Sequence, residues 1–125
     1  MKILAGMTTA LGFFAVAFGA FGSHTLKSSV SPEMLSVWQT AVQYQMFHVL
    51  ALLSVILLGA RSIGNLWSIV GWLFVSGCII FSGSLYLLVI TGIKAFGAIT
   101  PIGGCFFLVG WVAFFFALIK TINKS

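Results

Sequence analysis

The chain has 125 residues, 61% of them hydrophobic and 6% charged, and carries a formal charge of +5. Its mean hydropathy is +1.21. That leaves too little polar material to cover a soluble domain of this size, and a lone acid, Glu33, excludes paired-carboxylate catalysis.

The basic balance does not point to nucleic acid. The six lysines and arginines lie scattered, with no patch and no interleaved aromatic platform. Together with Glu33 they divide the chain into uncharged stretches at 3–26, 34–60, 62–93 and 95–119. Each can hold the roughly 20 residues needed to cross a hydrocarbon core about 30 Å thick. In lipid the backbone must satisfy its own hydrogen bonds, so such stretches are helices. The fold class is therefore an all-α integral membrane four-helix bundle, one domain over 1–125, with spans at about 3–22, 36–58, 66–90 and 99–119.

The first span opens like a secretory signal, with Lys2, an apolar run and Ala15-Val16-Ala17, but the run continues to Gly22. Signal cores are about 7–15 residues long, so an uncleaved span is expected. Its small residues Ala5, Thr8, Gly12, Ala15, Gly19 and Gly22 alternate steps of three and four, drawing a narrow seam for close packing against another span. A polar connector, Ser23 to Ser31, leads to Ser31-Pro32-Glu33. Serine as N-cap, proline in the first turn and a carboxylate near the positive dipole end start a helix there. That helix runs to about 58, with Ser36, Gln39, Thr40 and Gln43 in polar early turns suited to the headgroup zone.

After the Arg61–Asn65 loop, the third span carries Ser68, Gly71, Ser76, Gly77, Cys78 and Ser82-Gly83-Ser84. The chain turns over Thr91 to Ala98, and Thr100-Pro101 is expected to start the last span. A second small-residue seam there reads Gly103, Phe106, Gly110, Ala113 and Ala117. With four spans, Lys2, Arg61, Lys120 and Lys124 share one side, against Lys27 and Lys94 on the other. The positive-inside rule then puts both termini in the cytoplasm of a plasma-membrane protein. Trp38 and Trp67 fall near span ends, where interfacial anchors belong, while Trp72 and Trp111 lie deeper, against neighbours or lipid.

Four ordered blocks run through the chain: Gly19-Ala20-Phe21-Gly22-Ser23-His24, Trp38-Gln39-Thr40-Ala41-Val42-Gln43-Tyr44-Gln45 with His48, Phe81-Ser82-Gly83-Ser84-Leu85-Tyr86, and Gly97 through Gly104. Together they resemble the small bacterial membrane proteins grouped as domain of unknown function 423. Ser23 and Thr25 stand where alanines fit that pattern, keeping the residues small. The resemblance implies a multi-spanning membrane protein and brings no activity, substrate or site.

His48 is the ionisable residue nearest mid-depth, with Tyr44 one turn before it. It admits two readings. A neutral imidazole bonded to a neighbouring helix would glue the bundle, with Ser76, Ser82 and Ser84 as eligible partners. A wet cavity would instead make it a ligand or proton site. Gln39, Gln43 and Gln45, with Tyr44, His24 and Glu33, could line a polar mouth, or they could show one face of an interfacial helix to water. Metal or bis-histidine haem binding is not expected. His48 is sixteen residues past Pro32, about 24 Å along a helix and far in depth from His24, and no thiol or carboxylate cluster completes a site.

A serine nucleophile at Ser82 or Ser84 with His48 as base would lack an orienting acid in the membrane. Cys78 and Cys105, without a paired motif, read as buried apolar fillers. The glycines near 97–104 lack the closing lysine and hydroxyl residue of a phosphate loop. The preferred reading is a non-enzymatic bundle without cofactor or metal, in contact with lipid, a further copy of itself or another membrane protein. The alternative is a small binding or transport module built on His48, Tyr44 and the glutamines.

Overall fold

The computed structural model describes residues 1–62 and 64–123; Lys124, used above in the orientation count, lies outside them. The helices are α1 (Lys2–His24), α2 (Pro32–Gly59), α3 (Leu66–Gly77), α4 (Gly83–Thr91) and α5 (Ala95–Ile122). A π-helical segment, Cys78–Ser82, joins α3 to α4 in one span, so four helical rods are long and apolar enough to cross a membrane. No strand forms among the described residues.

Local chemistry sets the ends. Ser31 is extended, at φ −62° and ψ 156°, and its hydroxyl accepts the Met34 N–H at 3.2 Å to cap α2. Between α1 and α2 a 3₁₀ turn, Leu26–Ser28, buries Leu26 beside Trp38 and Tyr86. Gly92 stops α4 at φ +70°, its N–H closing on the Leu88 carbonyl at 2.8 Å; that left-handed cap suits a residue without Cβ.

The start of the last span needs correction. The helix α5 begins at Ala95 rather than at 99, and Pro101 stands inside it. The proline removes one N–H from the ladder, a loss membrane helices tolerate where hydroxyls and neighbours supply other bonds. Here the first turn is closed by Phe96 N–H to Ile93 O at 3.2 Å and Gly97 N–H to Lys94 O at 3.0 Å. Thr100 bonds Ser84 on α4 at 2.6 Å instead of capping a helix.

The third span is the hub, packing against α1, α2 and α5. The α1 seam faces α2: Cβ atoms built on Gly12 and Gly19 would each lie 3.4 Å from a methyl, of Val49 and Val42 respectively. On α5 the buried residues are Gly103, Phe107, Gly110 and Ala117. Phe107, not Phe106, therefore continues that seam. The steps of four, three and seven residues keep one helical stripe, and the ring of Phe107 lies where a side chain on Gly77 would otherwise stand. Phe81 of the π segment presses its backbone against Gly103.

Trp38 and Trp67 are not lipid-facing anchors. They are 2% and 3% exposed, and each donates its indole N–H inside the bundle, to Phe18 O at 2.8 Å and to the Thr121 hydroxyl at 3.2 Å. An indole on a helix face toward the neighbours buries its ring there and must find an acceptor for its N–H. Cys78 is buried, but Cys105 is exposed, correcting its reading as a buried filler; α5 turns that position away from α3 and α4.

Candidate functional site

Apart from His24 at the end of α1, the candidate residues lie along α2 and at Ser82 and Ser84 of the third span. Stripe positions Ala41, Gln45, His48 and Leu52 recur at helical spacing and are buried, which carries one amide and one imidazole into the interior.

His48 is 3% exposed. Its Nδ1 lies 2.7 Å from the Tyr44 carbonyl and its Nε2 lies 3.1 Å from Trp111 Nε1. An indole N–H can only donate and a carbonyl can only accept. Nε2 must therefore be an unprotonated acceptor and Nδ1 must carry the hydrogen, which makes the ring neutral. It also stacks on Phe107 with centroids 3.5 Å apart and an interplanar angle of 9°. The serines eligible as its partners do not reach it: Ser82 donates to Ala41 O at 2.7 Å, Ser84 pairs with Thr100 and with Phe81 O, and Ser76 makes no hydrogen bond to the ring. Neither Ser82 nor Ser84 forms a nucleophile–base pair with His48.

Gln45 is the second tie. Its amide donates to Leu11 O on α1 at 2.7 Å and its carbonyl accepts from the Tyr86 hydroxyl at 2.8 Å, joining three spans at one residue. Sequence reasoning missed Tyr86, Trp111 and Thr100 as partners. The signal was present: a phenol, an indole or a hydroxyl inside an apolar span needs a hydrogen-bond partner. Among the described residues no buried side-chain nitrogen or oxygen lacks one.

The other candidates stay outside this network. His24 and Glu33 are exposed near opposite ends of the α1–α2 connector, and Gln39 is exposed two turns into α2. Gln39 shares a groove between α1 and α2 with Gln43 and Ser23, which His24 and Glu33 do not line. Gln43 and Tyr44 are exposed on α2, with the Tyr44 ring stacked on Phe81 at 4.5 Å. Neither the Gln43 amide nor the Tyr44 hydroxyl has a hydrogen-bond partner among the described residues. They border a lateral groove of about 740 Å³ between α2 and α5, walled by Phe47, Pro101, Gly104 and Leu108, with His48 and Trp111 at its floor. On the other flank of Gln43 the groove between α1 and α2, about 470 Å³, runs over Gly19 and Gly22.

The His48–Trp111 bond has a measurable consequence. His48→Ala should lower the stability of the detergent-solubilised protein by about 1 kcal/mol, within the range of hydrogen bonds in membrane proteins. Trp111→Phe should cost less once His48 is already alanine. A double-mutant cycle by reversible unfolding in mixed micelles checks this, and strict additivity would show that the two rings do not share a bond.

Comparison with known proteins agrees with this architecture. The family model described as "Protein of unknown function (DUF423)" matches residues 18–104. A UPF0382 membrane protein of Staphylococcus aureus (strain bovine RF122 / ET3-1) is 46% identical over 121 residues, covering 96% of this chain and 98% of its own. One of Staphylococcus saprophyticus is 48% identical over 113 residues, covering 90% and 92%. The UPF0382 membrane protein YwdK of Bacillus subtilis is 42% identical over 124 residues, covering 98% and 100%. No solved structure matches the chain. A four-span apolar bundle that aligns with these relatives over nearly its whole length belongs to the DUF423 family of membrane proteins.

Proposed function

We propose that this protein is a non-catalytic membrane bundle that acts by lateral contact, offering the α2 ridge around Gln43 to a second transmembrane segment. The observation that carries this reading is the division of its polar groups. Among the described residues the buried amide, imidazole and hydroxyl groups are satisfied within the chain, so a substrate or proton would have to displace a bond already made. A proton relay through His48 would first have to break the bond to Trp111.

The exposed pair is different. A hydrocarbon layer about 30 Å thick, centred on α2, covers roughly residues 36–55 and includes Gln43 and Tyr44. An amide facing lipid without a partner is costly there, and association of helices is the common way to satisfy it. Grooves on both sides of the ridge give a second helix somewhere to lay its own side chains. A further copy of the chain, bringing its own Gln43, fits as well as a different membrane protein.

The reading extends to orientation: a plasma-membrane protein with both termini in the cytoplasm. Its support is the even number of spans and the greater basic charge on the side of Lys2, Arg61 and Lys120.

A photo-crosslinking residue in place of Phe47, which is 60% exposed on the ridge, tests the contact in living cells. A discrete protein adduct is expected from Phe47, and only lipid adducts from Ile79, 52% exposed on the third span. Lipid adducts alone from both positions would remove the contact reading. In the same cells a membrane-impermeant thiol reagent should label Ser28→Cys and spare Ser62→Cys; the reverse pattern would invert the orientation.

A further inference from the structure

The end of the bundle that carries the start of α1 and the end of α5 holds a pocket of about 930 Å³ between the last turns of α2, the start of α3 and the last turns of α5. Arg61 and Lys120 both line it, the first just past α2 and the second in the last turn of α5. Below them the wall is apolar: Ile56, Leu57, Trp67 and Ala117. Leu57 is 72% exposed, so this wall continues onto the lipid-facing surface.

The two cations have no acidic side chain to meet. Glu33 is the only one in the chain, and it stands in the first turn of α2, at the far end of a 28-residue helix, about 40 Å away along the axis. At an aqueous end such cations would be solvated. In this position, at the junction of an apolar wall and water, the complementary molecule is an amphiphile with an anionic head. A zwitterionic lipid brings an ammonium for which the described lining has no carboxylate; a net-anionic lipid brings no such mismatch.

We propose that this pocket is a binding site for an anionic phospholipid, with Arg61 and Lys120 holding the phosphate and an acyl chain lying along Ile56 and Leu57. Arg61 supplies the planar fork that binds two phosphate oxygens, and Lys120 adds a point charge from the opposite wall. Basic pockets between transmembrane helices at a membrane surface recognise lipid head groups by this chemistry. The site is independent of the α2 ridge: failure of the ridge contact leaves it standing, and its own failure leaves the ridge untouched.

The test uses delipidated full-length protein in a neutral detergent, titrated separately with phosphatidylglycerol, phosphatidylcholine and inorganic phosphate. Binding is followed by native mass spectrometry and by thermal unfolding. Phosphatidylglycerol should bind at least tenfold more tightly than phosphatidylcholine and should raise the melting temperature. Inorganic phosphate at the same concentration should do neither. Arg61→Gln and Lys120→Gln should each weaken phosphatidylglycerol binding several-fold, with Lys120→Arg retaining it. Both residues are exposed, so these variants keep the fold. Lys27→Gln with Lys94→Gln, at the opposite end, should leave binding unchanged. Equal binding of the two lipids, equal stabilisation by inorganic phosphate, or an equal loss in the Lys27/Lys94 variant would each overturn the proposal.

Discussion

Gly103→Ala is expected to destabilise the bundle by about 3 kcal/mol, at the upper end of overpacking costs, whereas Gly104→Ala one residue later should cost nothing and can raise stability by up to about 1 kcal/mol through helix propensity. A Cβ on Gly103 would collide with the Phe81 backbone nitrogen and lie 2.7 Å from its Cα. Backbone cannot swing aside as a flexible side chain can, so the two spans must separate. Separation would also loosen Phe107 over Gly77 and Phe74 over Gly110, contacts made by the same face of α5. Against this, alanine gains only about 1 kcal/mol of helix propensity over glycine. At Gly104 the nearest atom to a new Cβ is Phe81 Cδ2 at 4.0 Å, an ordinary contact. Phe81 lies within the π-helical turn over Cys78–Ser82, a departure from the α ladder in the segment that meets Gly103. Reversible unfolding in mixed micelles reads both variants; an unchanged midpoint for Gly103→Ala would mean that α5 does not approach Phe81 this closely.

Much of this packing was legible in the sequence, because glycine and alanine at steps of three and four mark where helices can touch. The α1 seam and the positions Gly103, Gly110 and Ala117 follow from spacing alone. Phe106 and Phe107 could not be told apart that way: both are large and apolar, and the choice rests on which ring meets Gly77 and His48 across two other spans. Pro101 misled because a threonine–proline pair starts helices often, and nothing local says that Ser84 would hold the threonine inside one. His48 and Gln45 were legible as polar groups in lipid, but not their partners. Trp111 lies 63 positions from His48 and Tyr86 lies 41 from Gln45, and pairing at that range is decided by packing. The pocket with Arg61 and Lys120 was invisible for the same reason, since each cation alone reads as a topology signal.

Trp38→Ala should cost about 3 kcal/mol, the low end for removing a buried tryptophan, because in a bilayer the ring does not also have to be hidden from water. The indole sits among Phe18, Phe21 and Tyr86 with centroids at 5.7, 5.7 and 4.6 Å, and its N–H holds the Phe18 carbonyl at 2.8 Å. Trp38→Phe keeps most of the ring contacts and loses the N–H, so it should cost about 1 kcal/mol. The decisive comparison pairs Trp38 with Gly22, where an added Cβ would lie 2.6 Å from the indole Cδ1. Gly22→Ala should destabilise the wild-type protein by crowding that ring. In the Trp38→Ala background there is no ring to crowd, and the new methyl fills part of the cavity, so the same change should restore stability. A sign reversal of this kind belongs to two groups sharing one interior space. An interfacial anchor facing lipid would give additive effects and a nearly neutral Trp38→Ala, and that result in a four-variant unfolding cycle would return Trp38 to the membrane surface.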